Sequence, residues 1–156
     1  MSQVSIRRAA KADAPVILAL LRELAAFEKL LETFRLDEAA VARDLLGENA
    51  AAHCDIAWLD GEAAGLAVWF PTYASFRARR GLYIEDLYVR PALRGRGIGR
   101  ALLANLARED IGWIKWTVLD WNAPAIGFYD RIGAQPVQNW ITYQLECEPM
   151  KKLGEI

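Results

Sequence analysis

The periodicities along the chain predict a mixed α/β domain in the order β-α-α-β-β-β-α-β-α-β-β: a twisted mixed sheet of about seven strands flanked by about four helices. Three observations carry this. Short apolar runs bounded by turn residues recur along the chain as strands. Asp60-Gly61 between two such runs is a strong hairpin signal and makes the early sheet antiparallel. From Leu82 to Leu103 the apolar period changes from strand to helix across a glycine-rich loop.

Residues 4–9 alternate and open the sheet. Asp13 is placed to cap a helix with Pro15 in its first turn, and Ile17, Leu20, Leu21, Leu24, Phe27 and Leu31 form the apolar stripe. Glu28 follows that stripe, and pattern alone favours a solvated helix end for it. Asp37 caps a second helix over 38–46, closed by Gly47. Strands are expected at 54–58 and 63–70, the latter stopping at Pro71, with a mobile loop over 72–80 that holds Tyr73, Phe76, Arg77, Arg79 and Arg80.

The next strand, 82–90, contains an irregularity. Leu82 and Ile84 share one parity and Leu87 and Val89 the other, so the apolar face slips by one across Glu85-Asp86. A β-bulge there accounts for the slip and leaves backbone groups free beside two carboxylates. The loop Arg94-Gly95-Arg96-Gly97-Ile98-Gly99 follows, with Arg100 just beyond. Glycines at alternate positions allow a tight turn and a close approach of backbone to ligand. The free N–H groups of the following helix favour a phosphate or pyrophosphate. The stretch lacks the Gly-Lys-Ser/Thr ending of a P-loop, and its spacing does not fit the dinucleotide fingerprint.

A strand at 113–119 is apolar enough to be central. Asn122 then caps a helix with Pro124 in its first turn and Gly133 at its end, burying Ala125, Phe128 and Ile132, with Tyr129 one residue off the stripe. Two short strands at 135–138 and 140–146 close the fold.

Chain-wide properties narrow the function. The 156 residues suit one domain, 1–156, and the balance of 54% hydrophobic to 25% charged residues is that of an ordinary globular protein. A net charge of −1 favours neither nucleic acid nor an anionic membrane, so the arginine cluster reads as a local anion site. Residues 1–11 are polar and charged, unlike a signal peptide, and no run approaches a membrane span; the expected location is the cytoplasm. Cys54 and Cys147 are too few for a disulfide framework, and the single histidine, His53, cannot build a metal cluster, so no metal is expected.

The segment Arg94, Gly97, Gly99 resembles the Arg/Gln-x-x-Gly-x-Gly/Ala signature of the GNAT acetyltransferases. Further pieces match the diamine (spermidine/spermine) N-acetyltransferase branch: residues 82–89, 119–129 and 132–134, the opening Ile6-Arg7-Arg8-Ala9, the Phe27-Glu28 pair, His53-Cys54 and Trp140. The resemblance spans about residues 4 to 147. It implies the GNAT acyl-CoA N-acyltransferase fold and an enzyme that transfers acetyl from acetyl-CoA directly to a primary amine. It implies a cofactor site of Leu87, Tyr88 and Val89 on the bulged strand, residues Arg94, Gly95, Arg96, Gly97, Ile98, Gly99 and Arg100 around the pyrophosphate, and Asn122, Pro124, Ala125 and Tyr129 along the arm.

The chemistry gives these residues roles. An alkylammonium with a pKa of ~10.4 must lose a proton before it attacks a thioester, and a carboxylate within reach takes that proton. Glu85, on the bulge, is the candidate base, and a backbone N–H near Leu87 the candidate oxyanion donor. Tyr129, at the position of the family's tyrosine, is the candidate acid for the departing thiolate, although without the resemblance a tyrosine near a helix stripe is more often core packing. Asn122 is explained equally by capping. A cationic acceptor calls for carboxylates and aromatic faces, here Glu28, Glu85, Asp86 and Asp120 with Trp121 and Trp140 as aromatic walls, and the resemblance adds Phe27 to the acceptor. Against a long polyamine stand the amides before Trp140 and the positive charge of Arg77, Arg79 and Arg80. The expected substrate is therefore a small-molecule primary amine: a diamine, a polyamine or a lysine-like amino acid. A protein acetyltransferase and a non-catalytic acyl-CoA sensor are the rival readings. Family members commonly dimerise, so a homodimer is expected.

Overall fold

A computed structural model describes residues 3–155 of the chain. The fold divides into two compact units, one ending at Thr117 and the other beginning at Val118.

The first unit is built on a five-stranded sheet in sequence order, β1 (Val4–Arg8), β2 (His53–Leu59), β3 (Glu62–Ala74), β4 (Arg79–Val89) and β5 (Ile114–Trp116). The first four strands are antiparallel neighbours, whereas β5 joins β4 in parallel. Asp60 and Gly61, both with positive φ (51° and 89°), make the β2–β3 hairpin expected of them. On one face of the sheet lie α1 (Ala14–Phe27) and α2 (Glu38–Asp44); Ile17, Leu20, Leu24 and Val41 pack there with Cys54, Ile56, Leu66, Val68 and Tyr88. The helix α3 (Ile98–Leu106) buries Ile98, Leu102, Leu103 and Leu106, the stripe read from its period.

Several boundaries differ from the sequence reading, each for a physical reason. β3 runs through Pro71 to Ala74, and the expected loop over 72–80 is a tight hairpin: Thr72 pairs with Gly81, and Ala74 with Arg79. Pairing with β2 stops at Trp69, so Pro71 lies where β3 has a neighbour on one side only, a place where a residue without an N–H is tolerated. Residues 113–119 do not form a central strand. β5 is three residues long at the sheet edge, and Trp113 packs instead against Gly81, where any Cβ would meet its ring at 2.1 Å. α1 ends at Phe27, which leaves Leu31 exposed in a 3-10 turn rather than on the stripe. Asp13 does not cap α1 through its side chain. Its carboxylate turns back to the Ala10 N–H (2.7 Å) and to both Nη atoms of Arg7, which holds it below the usual carboxylate range. Asp37 does cap α2, accepting from the Ala40 N–H at 2.7 Å, but that helix stops at Asp44, short of Gly47.

The sequence reading gave no role to Asp55, which is buried at 3% exposure and joins four elements. It accepts from Arg8 Nε on β1 (2.7 Å), Trp69 Nε1 on β3 (3.0 Å) and Asn105 Nδ2 on α3 (3.3 Å). Arg8 also lies over the Trp69 ring, 4.7 Å from its centroid. Removing this acceptor strands a buried indole N–H and an amide together. Asp55→Ala is accordingly expected to lower stability by about 3 kcal/mol, a drop in Tm of about 6–12 °C by thermal unfolding. A loss under about 1 kcal/mol would show that the network contributes little.

The second unit holds α4 (Ala123–Arg131) and α5 (Cys147–Gly154), bringing the described α-helices to five. The ends of α4 are as read: the Asn122 side chain accepts from the Ala125 N–H, Pro124 is in the first turn, and Gly133 takes the left-handed conformation at its end, but the expected stripe of Ala125, Phe128 and Ile132 is only half-buried. The closing strands at 135–138 and 140–146 are absent, so the strand count is five rather than seven among the described residues. The apolar alternation is present in Ile141, Tyr143 and Leu145, but all three are exposed and pair with no strand among the described residues. A period of two becomes a strand only when a neighbouring edge accepts its hydrogen bonds.

Candidate active site

The β-bulge falls where the parity slip placed it. Along β3–β4, Trp69 pairs with Ile84 and Val68 with Asp86, so Glu85 is the extra residue. Beyond it the strand has changed face, and Asp86 and Tyr88 lie on the side covered by α1. Tyr88 is buried, and its Oη donates to Glu23 of α1. Arg90, just past the strand, binds the same glutamate through Nε and Nη2 and donates through Nη1 to the Ala63 carbonyl. α1 is thereby tied to the end of the bulged strand.

This arrangement separates the two carboxylates that are adjacent in sequence. Glu85 is exposed, whereas Asp86 is half-buried and its carboxyl is pushed up to about 7, first by burial and then by the charges of Glu85 and Glu28. Glu28, the C-cap residue of α1, is itself raised by burial. Glu85 and Glu28 thus both add negative charge at Asp86, whose carboxyl exchanges its proton near neutrality. Pattern alone favoured a solvated helix end for Glu28, while the family resemblance placed it at the acceptor; the structure puts it in this acidic group.

The glycine-rich turn leaves β4 at Val89, passes through a 3-10 turn (Pro91–Leu93) and enters α3 at Ile98. Gly95 and Gly97 have φ of 78° and 80°, and Gly97 is the N-cap of α3. A side chain at either position is strained, which accounts for two of the three glycines; Gly99 is already inside the helix. Arg94, Arg96 and Arg100 are exposed around this turn, and the first N–H groups of α3 lie at its mouth. The turn thus has the donor set for a pyrophosphate: backbone N–H groups, a helix start and guanidinium groups.

Of the candidate residues, Phe27, Glu28, Glu85, Asp86, Leu87, Tyr88, Val89 and those of the 94–100 turn belong to the first unit. Asp120, Asn122, Pro124, Ala125, Tyr129 and Trp140 belong to the second. There Tyr129 is half-buried on α4 with its ring 5.4 Å from that of Phe128, while Trp140 is exposed. The His53 ring packs tilted against that of Trp69, 50° between planes and 4.8 Å between centroids, and its pKa is lowered first by burial and then by Arg8, in keeping with a structural role. Burial pushes the Cys54 thiol up to about 12, which leaves it unreactive. Two features of the site were not legible beforehand, the tuning of Asp86 and the placing of Arg94 against Phe27. Both depend on α1 lying over the bulge, and no local sequence signal reports that.

The family model of the acetyltransferase (GNAT) family matches residues 18–134. A mouse thialysine N-epsilon-acetyltransferase is 33% identical over 169 aligned positions, covering 99% of both chains. The human spermidine/spermine N(1)-acetyltransferase-like protein 1 is 34% identical over 96% of this chain and 24% of its own length. Among solved structures, an integron cassette protein from Vibrio cholerae superposes with a TM-score of 0.82 at 23% identity, over 98% of both chains.

Proposed function

From the premise that this chain belongs to the GNAT acetyltransferase family and is an N-acetyltransferase, we propose that it acetylates the primary amine of a small cationic molecule: a diamine, a polyamine or a lysine-like amino acid. The observation that carries this reading is the acidic group at the bulge, where burial raises Asp86 and Glu28 above the usual carboxylate range and the charges of Glu85 and Glu28 add to the rise at Asp86. A bound ammonium relieves that repulsion and draws both groups into their ionised forms. The relatives named for thialysine and for spermidine/spermine act, by name, on molecules of that chemistry.

Acetyl-CoA, the donor in this reading, supplies the activated thioester. The 94–100 turn suits its pyrophosphate, because the left-handed glycines at 95 and 97 leave open space where a Cβ would stand. Leu87, Tyr88 and Val89 on the bulged strand and Asn122, Pro124 and Ala125 at the start of α4 are assigned to its arm, with Asn122 also serving as the helix cap. The acceptor ammonium is held by Asp86 and Glu28, and Asp120 and Trp140 are assigned to the same acceptor. One proton leaves the ammonium for a carboxylate oxygen. Glu85 is within the bulge, but Asp86 has the affinity suited to proton exchange near neutral pH. The Tyr129 hydroxyl supplies a proton to the departing sulfur, and the backbone N–H near Leu87 receives the developing oxyanion. The reading includes a cytoplasmic homodimer. Support for the dimer comes from the exposed Val137, Trp140, Ile141 and Tyr143. No helix among the described residues is long and apolar enough to cross a membrane.

Free-thiol release from acetyl-CoA, measured across putrescine, spermidine, thialysine, ornithine, an aminoglycoside and a lysine-containing peptide, tests the proposal. Turnover with a small amine and little with the peptide is expected. Turnover with the peptide alone would make the protein a protein acetyltransferase. Coenzyme A binding without turnover on any amine would leave a sensor.

A further inference from the structure

Arg94 opens the glycine-rich turn, and the structure shows what holds it. Its Nε donates to the Val89 carbonyl at 3.0 Å, across the turn it begins. Its guanidinium carbon lies 4.6 Å from the ring centroid of Phe27 and 5.9 Å from that of Tyr88. Tyr88 is itself fixed, buried and bonded to Glu23. The two Nη nitrogens donate to no group among the described residues, and the side chain is exposed. The guanidinium is therefore fixed on its apolar face and along one edge, while its outer fork of N–H donors stays uncommitted beside the mouth of α3. That fork matches a phosphate or pyrophosphate in two-point contact.

Phe27 is the last residue of α1, and Glu28, the next, stands with Asp86 in the acidic group. Sequence reasoning assigned Phe27 to the acceptor. We infer instead that Phe27 is a positioning residue for the cofactor: its ring carries the Arg94 guanidinium and aims the free fork at the pyrophosphate of coenzyme A. The inference rests on the proposed acetyl-CoA reading. A flexible arginine loses rotamer freedom on binding an anion, and a ring that already holds it reduces that loss. The stack also draws on the attraction between a cation and a π face, which an aliphatic side chain of similar bulk cannot supply.

The test is a double-substitution cycle, read by calorimetric titration of the whole protein with coenzyme A and by steady-state kinetics. Phe27→Leu keeps apolar bulk at the end of α1 and removes the π face. It is expected to raise the coenzyme A Kd and the acetyl-CoA KM about three- to tenfold, with kcat at saturation within about twofold. Phe27→Tyr restores binding to within about twofold of the parent. In an Arg94→Gln background, Phe27→Leu has no further effect on Kd, because its effect runs through that guanidinium. Additive effects in the cycle would overturn the inference. So would an unchanged Kd in Phe27→Leu, or a rise in amine KM alone, which would return Phe27 to the acceptor. If the parent protein itself fails to bind coenzyme A, the acetyl-CoA reading falls first and the role of Phe27 falls with it. That outcome is distinct from a parent that binds and a Phe27→Leu variant that binds equally well.

Discussion

Asp86→Asn is expected to lower kcat/KM for the amine about 30- to 100-fold, through both kcat and KM, while leaving coenzyme A affinity in place. The substitution keeps the shape of a half-buried side chain and removes the charge that an ammonium would meet there. The pH dependence distinguishes this from a general loss of packing. With its carboxyl pushed up to about 7, Asp86 is ionised above that value and protonated below it. The parent's kcat/KM therefore gains a limb that falls about tenfold per pH unit below about pH 7, a range in which the amine, with a pKa of ~10.4, stays protonated throughout. Asp86→Asn removes that limb. The stability effect has the opposite sign. The folded form holds the proton more tightly than the unfolded chain, whose carboxyl titrates at ~3.9, so Asp86 costs stability progressively as pH rises from ~4 towards about 7. At neutral pH the asparagine variant is thus expected to melt higher than the parent while working worse. An unchanged pH–rate profile, or a variant that melts lower with normal KM, would remove Asp86 from the acceptor site.

Tyr129→Phe is expected to reduce kcat about 100-fold at saturating acetyl-CoA and amine, with the coenzyme A Kd within about twofold of the parent. The change deletes one hydroxyl and leaves the aromatic ring in its place beside Phe128 on α4. A residue that only packs the helix would lose little kcat on this substitution. A residue that protonates the departing thiolate would lose most of it. Stronger leaving groups narrow the difference, so a donor with a more acidic thiol should recover part of the lost rate in the variant. If kcat is retained with acetyl-CoA, Tyr129 is packing alone and the proton comes from elsewhere.

How much of this was legible in the sequence differs from element to element. The bulge was legible because side-chain alternation in a strand has a period of two, so an apolar face that slips between Ile84 and Leu87 calls for one extra residue in the strand. The β2–β3 hairpin, the Asn122 cap and the buried stripe of α3 were legible for the same kind of reason: each is encoded within a few residues. Residues 72–80 were not, because whether Pro71 ends a strand depends on which side of that strand is open. Neither was the exposure of residues 140–146, whose alternation is strand-like but whose hydrogen bonds need a partner that the pattern does not contain.

By itself, then, the sequence determined the local chemistry: a turn of alternate glycines and arginines at a helix start, a bulge beside two carboxylates, and a capped helix presenting a tyrosine. The tertiary structure alone decided what surrounds those groups. Burial beneath α1, together with the nearness of Glu85 and Glu28, is what raises the proton affinity of Asp86. The same helix brings Phe27 under Arg94, a residue 67 positions away in the sequence. Asp55 looks like an isolated charge in an apolar strand until three other elements converge on it. Desolvation and charge–charge energies depend on distances between segments remote in the chain, and these exist only once the sheet has its helices in place.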